Sequence, residues 1–358
     1  MDIRPADKSV FDLLSLGDCM VRFSPSGHGR IEFAPVLEVS VGGGEYNVAY
    51  ACARLGLRAG FISRLPDNSL AHIVRNHARA GAVDLSNVVW VPYDGVGRAD
   101  RVGLNFTEVG TGPRASVTLY DRGHSAASHM KPGDIDFQAL FARGVRWLHT
   151  GGIFTALSPT SAQTVLAALE AGRKNGVITS YDLNFRSSLW TSQEAQKATR
   201  DLVQHITVLI GNEEDFEKIL GFKAEGTSEG YRDLSIESYK KMVERVVKAY
   251  PNLQVIGTTL REVKTGLLNH WGAIIYCAGK FYQSRRYENL EIEDRVGGGD
   301  GFSSGLAFGF LTGLPPQDIV EFAAAHGALL QSTRGDTSQI SLEEVTHVMR
   351  GGSARIRR

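Results

Sequence analysis

The stretch Asp294-Arg295-Val296-Gly297-Gly298-Gly299-Asp300-Gly301-Phe302 follows a strand-like segment and opens an apolar helix that carries Phe302, Leu306 and Phe310. Three glycines ahead of a helix let successive backbone N–H groups face one point. The helix N-terminus adds partial positive charge there, so an anion is favoured. The stretch is not G-x-x-x-x-G-K-[ST], because no lysine follows, and it is not a G-x-G-x-x-G turn after a first strand. It places an acid in the first helical turn instead. Two readings of Asp300 stand side by side. It is a helix cap or first-turn acid worth about 1 kcal/mol, or a general base that takes a proton from a hydroxyl attacking a phosphate held by the glycines.

Outward from this stretch the chain alternates. Apolar runs at 11–16, 61–63, 147–150, 177–183, 208–211 and 253–258 read as strands, with a strand pair at 273–277 and 280–287. Helical periodicity follows the turn Gly42-Gly43-Gly44 and recurs at 70–80, 159–175, 192–204, 214–220, 239–249, 301–311 and 316–333. Such alternation predicts a mostly parallel sheet covered on both faces, with ligands outside the carboxyl ends of the strands. Residues 20–41 and 88–122 are rich in β-formers and turn residues and lack a helical period. Together they predict a small lid sheet apart from the main layer.

Composition narrows the class. The 358 residues are 42% hydrophobic and 22% charged, which excludes a disordered or collagen-like chain. Lys+Arg and Asp+Glu are 39 each, so no basic excess supports nucleic-acid or membrane-surface binding. Cys19, Cys52 and Cys277 make neither a disulfide framework nor a metal-ligand spacing, as expected of reduced thiols. No run of about 18 apolar residues exists, and the N-terminus lacks a signal-peptide pattern. A cytoplasmic protein with no nucleic-acid or membrane partner is expected.

Gly297-Gly298-Gly299-Asp300 opening a helix, with the earlier glycine-rich turn before Asn47, resembles the ribokinase (PfkB-type) carbohydrate kinase family. That pattern usually has Ala where Gly298 stands, and Gly occurs in its 2-keto-3-deoxygluconate kinase branch. Tyr181-Asp182-Leu183-Asn184-Phe185-Arg186-Ser187-Ser188-Leu189-Trp190 resembles the branch's D-x-N-x-R-x-x-L-W segment, and Thr258-Thr259-Leu260-Arg261-Glu262-Val263 is similar to a later one. The likeness runs from about Leu14 to Ser338. It implies one domain over 11–338, a ribokinase-like Rossmann-type α/β/α three-layer sandwich with a small β-sheet lid. Residues 339–358 are left as a C-terminal helix and basic tail.

The resemblance also implies roles. Asp300 is the catalytic base, and Gly297, Gly298 and Gly299 hold the transferred group. Gly42, Gly43, Asn47, Asn184 and Arg186 contact the sugar, with Arg186 on a carboxylate, which a planar guanidinium suits. Asn212, Thr258, Leu260, Glu262, Gly272, Gly297 and Gly299 contact ATP. Asp215 reaches Mg²⁺ through water. Asp294 lies near the place where some relatives bind a monovalent cation. The lid segment departs from the branch. Asn105 stands where Tyr is common and Thr107 where some members have Arg, so either the sugar differs in stereochemistry or Tyr93 or Arg101 substitutes there, with Arg101 and Asn105 kept as sugar contacts. The implied activity is ATP-dependent phosphorylation of a sugar acid, most simply 2-keto-3-deoxygluconate at O6. Other sugars of the family remain the alternative, then a non-catalytic sugar-binding protein, and a homo-oligomer is expected. A dehydrogenase is disfavoured because Leu16-Gly17-Asp18-Cys19-Met20 does not fit G-x-G-x-x-G.

Overall fold

The central strands are unbroken apolar runs, as strands covered on both faces require. Successive side chains of a strand point to opposite faces. Val208 and Ile210 accordingly join one core and Leu209 the other. Ala273 and Ile275 part from Ile274 in the same way. The computed structural model describes residues 1–224 and 236–352; residues 353–358 of the expected basic tail lie outside them.

The strands are β1 (Phe11–Leu16), β2 (Met20–Pro25), β3 (Leu37–Gly42), β4 (Ala59–Pro66), β5 (Val88–Val91), β6 (Gly103–Glu108), β7 (Val117–Asp121), β8 (Val145–Gly151), β9 (Ile178–Asp182), β10 (Val208–Ile210), β11 (Val255–Thr265), β12 (Leu268–Cys277), β13 (Lys280–Gln283) and β14 (Tyr287–Glu291). The helices are α1 (Gly44–Arg54), α2 (Ser69–Ala80), α3 (Phe137–Ala142), α4 (Gly152–Thr155), α5 (Pro159–Lys174), α6 (Ser192–Val203), α7 (Glu213–Leu220), α8 (Ile236–Ala249), α9 (Gly298–Leu311), α10 (Pro316–Leu330) and α11 (Leu342–Met349).

Among the described residues, the main sheet runs β13-β12-β11-β10-β9-β8-β1-β4-β5, with β14 also on β12. Its strands are parallel from β11 through β5, and β12 returns antiparallel along β11. Helices α1, α2, α9 and α10 pack on one face, and α3, α5, α6, α7 and α8 on the other. Chain order reverses between β1 and β8, and such a switch point opens a crevice at the carboxyl ends. A second sheet, β3-β2-β6-β7, stands apart.

Four expectations need correction. Residues 88–122 do not all join the small sheet. β5 pairs in parallel with β4 from Ser63↔Val88 to Pro66↔Val91 and extends the main sheet. The segment 280–287 is two short strands, both along β12. β11 runs on to Thr265, because its second half leaves the core and its residues become exposed and charged. The α9 helix also begins at Gly298, so Gly298, Gly299 and Asp300 are its first turn.

One buried cation ties the second sheet to the turn before α9 and to the loop after α10. Arg22 of β2 is 2% exposed. It donates from Nη2 to Asp294 at 2.6 Å and from Nη1 to Asp336. Gly42, at the end of β3, is so close to residue 336 that a Cβ there would run into the Asp336 carboxylate. Gly297 has φ +89°, and its Cβ would lie 2.6 Å from the Asp336 carbonyl oxygen. Removing one partner of a buried ion pair leaves uncompensated charge and costs about 3–5 kcal/mol. Arg22→Met should lower the unfolding free energy by about that amount in denaturant titration. A loss within the surface-substitution range of about 0.5 kcal/mol would contradict the role given to Arg22.

Candidate active site

A cleft of about 520 Å³ opens at the carboxyl ends of β9 and β10, between the N-termini of α1 and α9, with the second sheet as one wall. Gly297 caps α9, and the first helical bond is Gly301 N–H to Gly297 O at 2.8 Å. The N–H groups of Gly298, Gly299 and Asp300 therefore have no acceptor within the helix, and all three residues line the cleft. The glycine run thus brings three first-turn N–H donors to the cleft.

Asp300 does not cap the helix. Its Oδ2 accepts a hydrogen bond from Asn47 Nδ2 of α1 at 2.7 Å. Burial pushes its carboxyl up to about 7; Asp336 adds to the rise, while Asn47 and Arg186 oppose it. A carboxyl poised near neutrality beside an anion seat suits a general base.

Beyond β9, Asp182, Asn184 and Arg186 all reach the cleft. Asn184 has φ +40°, strain of the kind that recurs at binding sites. Burial pushes Asp182 well up, Asp215 and Asp300 add to it, and Arg186 opposes it. Arg186 is exposed, with Nη1 donating to its neighbour Phe185 O at 2.9 Å.

The wall from the second sheet is polar. Thr107 Oγ1 donates to Asn105 Oδ1 at 3.2 Å and lies 2.9 Å from Thr118 Oγ1. Arg101 does not reach the cleft. Its side chain is 43% exposed, and Nη2 stands 4.0 Å from Asp121. Tyr93 is also an exposed residue away from it. Gly43 lines the cleft, whereas Gly42 faces Asp336. Sequence reading missed Tyr120 and Arg122, which line this wall with Thr118. The signal was present: in 117–122, Val117 and Leu119 alternate with Thr118, Tyr120 and Arg122, which share the other face.

Of the residues expected to contact a nucleotide, those on β11 and β12 face away from the cleft. Thr258 is buried and donates to Gly211 O, Leu260 packs on the opposite core, and Glu262 is exposed, pairing with Arg286 at 2.7 Å. Gly272 lies across the ladder from Leu260. None of the four lines the cleft; Thr259, Arg261, Trp271 and Arg295 do. A one-residue slip in strand parity moves every side chain to the other face. Loss of hydration, then Arg295 and Arg186, lower the Arg261 pKa, and Arg295 Nε has no partner. Among the described residues neither guanidinium makes an ion pair with a carboxylate, and such a pair of guanidiniums fits a polyphosphate.

Asn212 and Asp215 line the cleft but serve the local fold. They form the capping box of α7. Asp215 Oδ1 accepts from Phe185 N–H at 2.8 Å and Oδ2 from Asn212 N–H at 2.9 Å. The acids left open to the cleft are Glu213 and Glu214. No group of three or more metal-ligating side chains exists among the described residues. That donor set fits a hydrated Mg²⁺ held through water and phosphate better than a protein cage. Asp294 is already engaged by Arg22 rather than open to a monovalent cation.

Residues 11–343 match the profile described as pfkB family carbohydrate kinase. The 2-dehydro-3-deoxygalactonokinase of Haloferax volcanii is 29% identical over 350 residues, 97% of this chain and 99% of the relative. A 5-dehydro-2-deoxygluconokinase of Clostridium perfringens is 25% identical over 326 residues, 90% of this chain and 88% of the relative. Among solved structures, 2-dehydro-3-deoxygluconokinase from Thermotoga maritima superposes with TM-score 0.89 at 37% identity, over 95% of this chain and 100% of the other. A fructokinase from Xylella fastidiosa with bound ATP shares the fold at 18% identity, with TM-score 0.71 over 95% of this chain and 98% of the other.

The raised carboxyl of Asp300 has a thermodynamic consequence. Its folded pKa, about 7, lies above the ordinary 3.8. Below pH 4 or so both states hold the proton, between the two values only the folded state does, and above about 7 neither does. Stability is therefore lost as pH rises through that window. Asp300→Asn should match wild type in melting temperature near pH 4, gain on it up to about pH 7, and then hold a constant lead. A difference independent of pH would contradict the raised carboxyl.

Proposed function

The chain belongs to the pfkB family of carbohydrate kinases, and within it we propose that the acceptor is a 2-keto-3-deoxy sugar acid, first of all 2-keto-3-deoxygluconate, phosphorylated by ATP on its hydroxymethyl oxygen. The observation that carries this reading is Asp300, held by Asn47 in the first turn of α9 and raised to about 7. Relatives named for 2-dehydro-3-deoxy sugar acids support the acceptor class.

Asp300 takes the hydroxyl proton as the oxygen attacks the γ-phosphorus in line, and ADP leaves. The free N–H groups of Gly298 and Gly299 face the charge that develops on the transferred group. Arg261 and Arg295 hold the polyphosphate. Glu213 and Glu214 would hold a hydrated Mg²⁺ through water, and the ion would supply neutralisation of phosphate charge. Arg186 lines the cleft within the field of Asp182 and Asp300 and contacts the carboxylate of the acid. Closure of the second sheet over the sugar excludes water and limits ATP hydrolysis. ATP use together with the free cysteines favours a reducing, cytoplasmic setting.

We also infer a homo-oligomer joined through the second sheet. Val39, Phe23, Phe106 and Leu119 lie in register across its four strands on the face away from Asn105 and Thr107. Phe23 stacks on Phe106 with centroids 5.3 Å apart, and Val39 and Leu119 are 51% and 59% exposed. Such an apolar row marks a contact surface.

Two measurements test these proposals. With MgATP and one acceptor per well, turnover is expected with 2-keto-3-deoxygluconate and weaker or absent with fructose and ribose. Asp300→Asn should lose about 10²–10⁴-fold in kcat, the usual share of a general base. Turnover only with neutral sugars would sink the acceptor class, and an unimpaired Asp300→Asn would sink the base. Leu119→Asp should convert the native mass by light scattering to that of one chain. An oligomer that survives it would place the interface elsewhere.

A further inference from the structure

The two walls of the cleft meet again at the tip of the β11–β12 hairpin. The outer half of β11, residues 261–265, leaves the core and is exposed, yet Gly266 just beyond it is buried. The loop between β6 and β7 covers it. Gly266 N–H donates to Gly112 O at 2.9 Å. A Cβ on Gly266 would stand 2.9 Å from Arg114 O, 3.0 Å from Thr111 N and 3.1 Å from the Gly110 carbonyl carbon. All three are backbone atoms, which cannot swing aside as the end of a side chain can. The turn itself does not require glycine, because the φ of Gly266 lies outside the left-handed region. The absent side chain therefore serves the close approach of the loop.

Both ends of this contact are tied to side chains that line the cleft. On the second-sheet side, Gly110 N–H donates to Ser116 Oγ at 3.0 Å. Arg114 fastens the same loop, donating from Nη2 to His28 O at 2.6 Å. On the main-sheet side, Arg295 Nη2 donates to Thr265 O at 2.9 Å and to Gly266 O at 3.1 Å. Leu267 O accepts from Ile292 N–H at 3.0 Å. Ser116 lines the cleft with Thr107 and Thr118, and Arg295 lines it with Arg261 and Trp271. Arg261 and Trp271 face each other in the ladder that ends at Thr265↔Leu268, so one continuous arm runs from the cleft to the tip. Arg295 grips the tip through Nη2 and keeps Nε unpartnered. A line of hydrogen bonds thus crosses from Ser116 on one wall to Arg295 on the other.

We propose that Gly266 is a positioning residue at the crown of an arch between the two walls, through which a nucleotide phosphate at Arg295 and an acceptor under the second sheet strengthen each other's binding. This rests on the reading above, in which Arg295 meets the phosphates and the second sheet faces the sugar. The arch has two states, joined and parted at Gly266 and Gly112. A phosphate at Arg295 fixes the guanidinium that grips the tip. An acceptor draws in the wall whose Ser116 holds the loop. Each ligand favours the joined state, and the first to bind orders part of what the second would otherwise have to order. Such a coupling is reciprocal.

The test is calorimetric binding without turnover, with 2-keto-3-deoxygluconate as acceptor and β,γ-methylene ATP with Mg²⁺ as nucleotide. In wild type each ligand should tighten the other by the same factor, at least about fivefold, the low end of coupling between sites. Gly266→Ala parts the tip from the loop without straining the hairpin itself. It should bring the factor below about twofold, with the Kd of each ligand alone within about threefold of wild type. The Gly266 amide hydrogen should exchange more slowly with both ligands bound than with either alone. A wild-type factor near one, or a factor that Gly266→Ala leaves intact, would overturn the arch. Weaker binding of each ligand alone with the factor kept would show a merely structural glycine, and would overturn it as well. Should Gly266→Ala fail to fold, the wild-type factor and the amide exchange decide, and a missing factor or an unslowed amide overturns the arch. If fructose binds and 2-keto-3-deoxygluconate does not, the sugar-acid reading alone has failed, and the same titrations with fructose judge the arch.

Discussion

Two helix N-termini meet in this protein, and the hydrogen bond from Asn47 to Asp300 joins them across 253 residues of sequence. Everything else in the cleft is placed relative to that contact. It brings the start of α1, which follows the second sheet's strand β3, against the start of α9, which follows the last strands of the main sheet. Behind it the chain around Asp336 acts as a template. Gln331 O accepts the Glu293 N–H at 2.8 Å, Gly42 and Gly297 close on residue 336, and Arg22 holds Asp294 and Asp336 together. The turn before α9 is thus fixed from outside, so its free N–H groups are aimed before any ligand binds. Preorganised donors of this kind cost no reorganisation when charge develops.

The site is electrostatically unfinished without ligands. Burial pushes Asp18 up to about 6, Glu45 to about 8, Asp300 to about 7, and Asp182 well up. Glu45 Oε2 and Asp18 Oδ2 have no partner. Arg122 and Arg295 each hold an unpartnered Nε. A fold optimised for stability alone would pair or remove these groups. Of these groups, Asp182, Asp300, Arg122 and Arg295 line the cleft and present acids and guanidiniums to it.

The sequence disclosed the layers well because the core strands obey simple rules. The run Phe11–Leu16, the alternation of Val208, Leu209 and Ile210 between two cores, and the glycine stops after helices were all legible. The glycine turn that opens α9 and the place of Asp300 in its first turn were legible too. What escaped depended on parity and on partners distant in sequence. In β11 the residues Thr258, Leu260 and Glu262 face away while Thr259 and Arg261 face the cleft. Only the pairing with β12 fixes that choice, since the exposed half of β11 has no apolar pattern to set it. β5 escaped because a short apolar run looks the same at the edge of a main sheet as in a lid. Asn212 and Asp215 were read as ligands, yet Asn-x-x-Asp at a helix start also spells a capping box, and Phe185 N–H completes the role of Asp215 in the fold.

The central claim is that Asp300 is the base, poised near neutrality by its surroundings. The pH dependence of kcat/KM with the preferred acceptor tests it most directly, because this quantity reports the free enzyme's essential groups. The account predicts a rate that climbs with pH and levels off above about 7, where Asp300 is ionised. A profile flat across that range, or one that levels off near the ordinary aspartate value of 3.8, would contradict it.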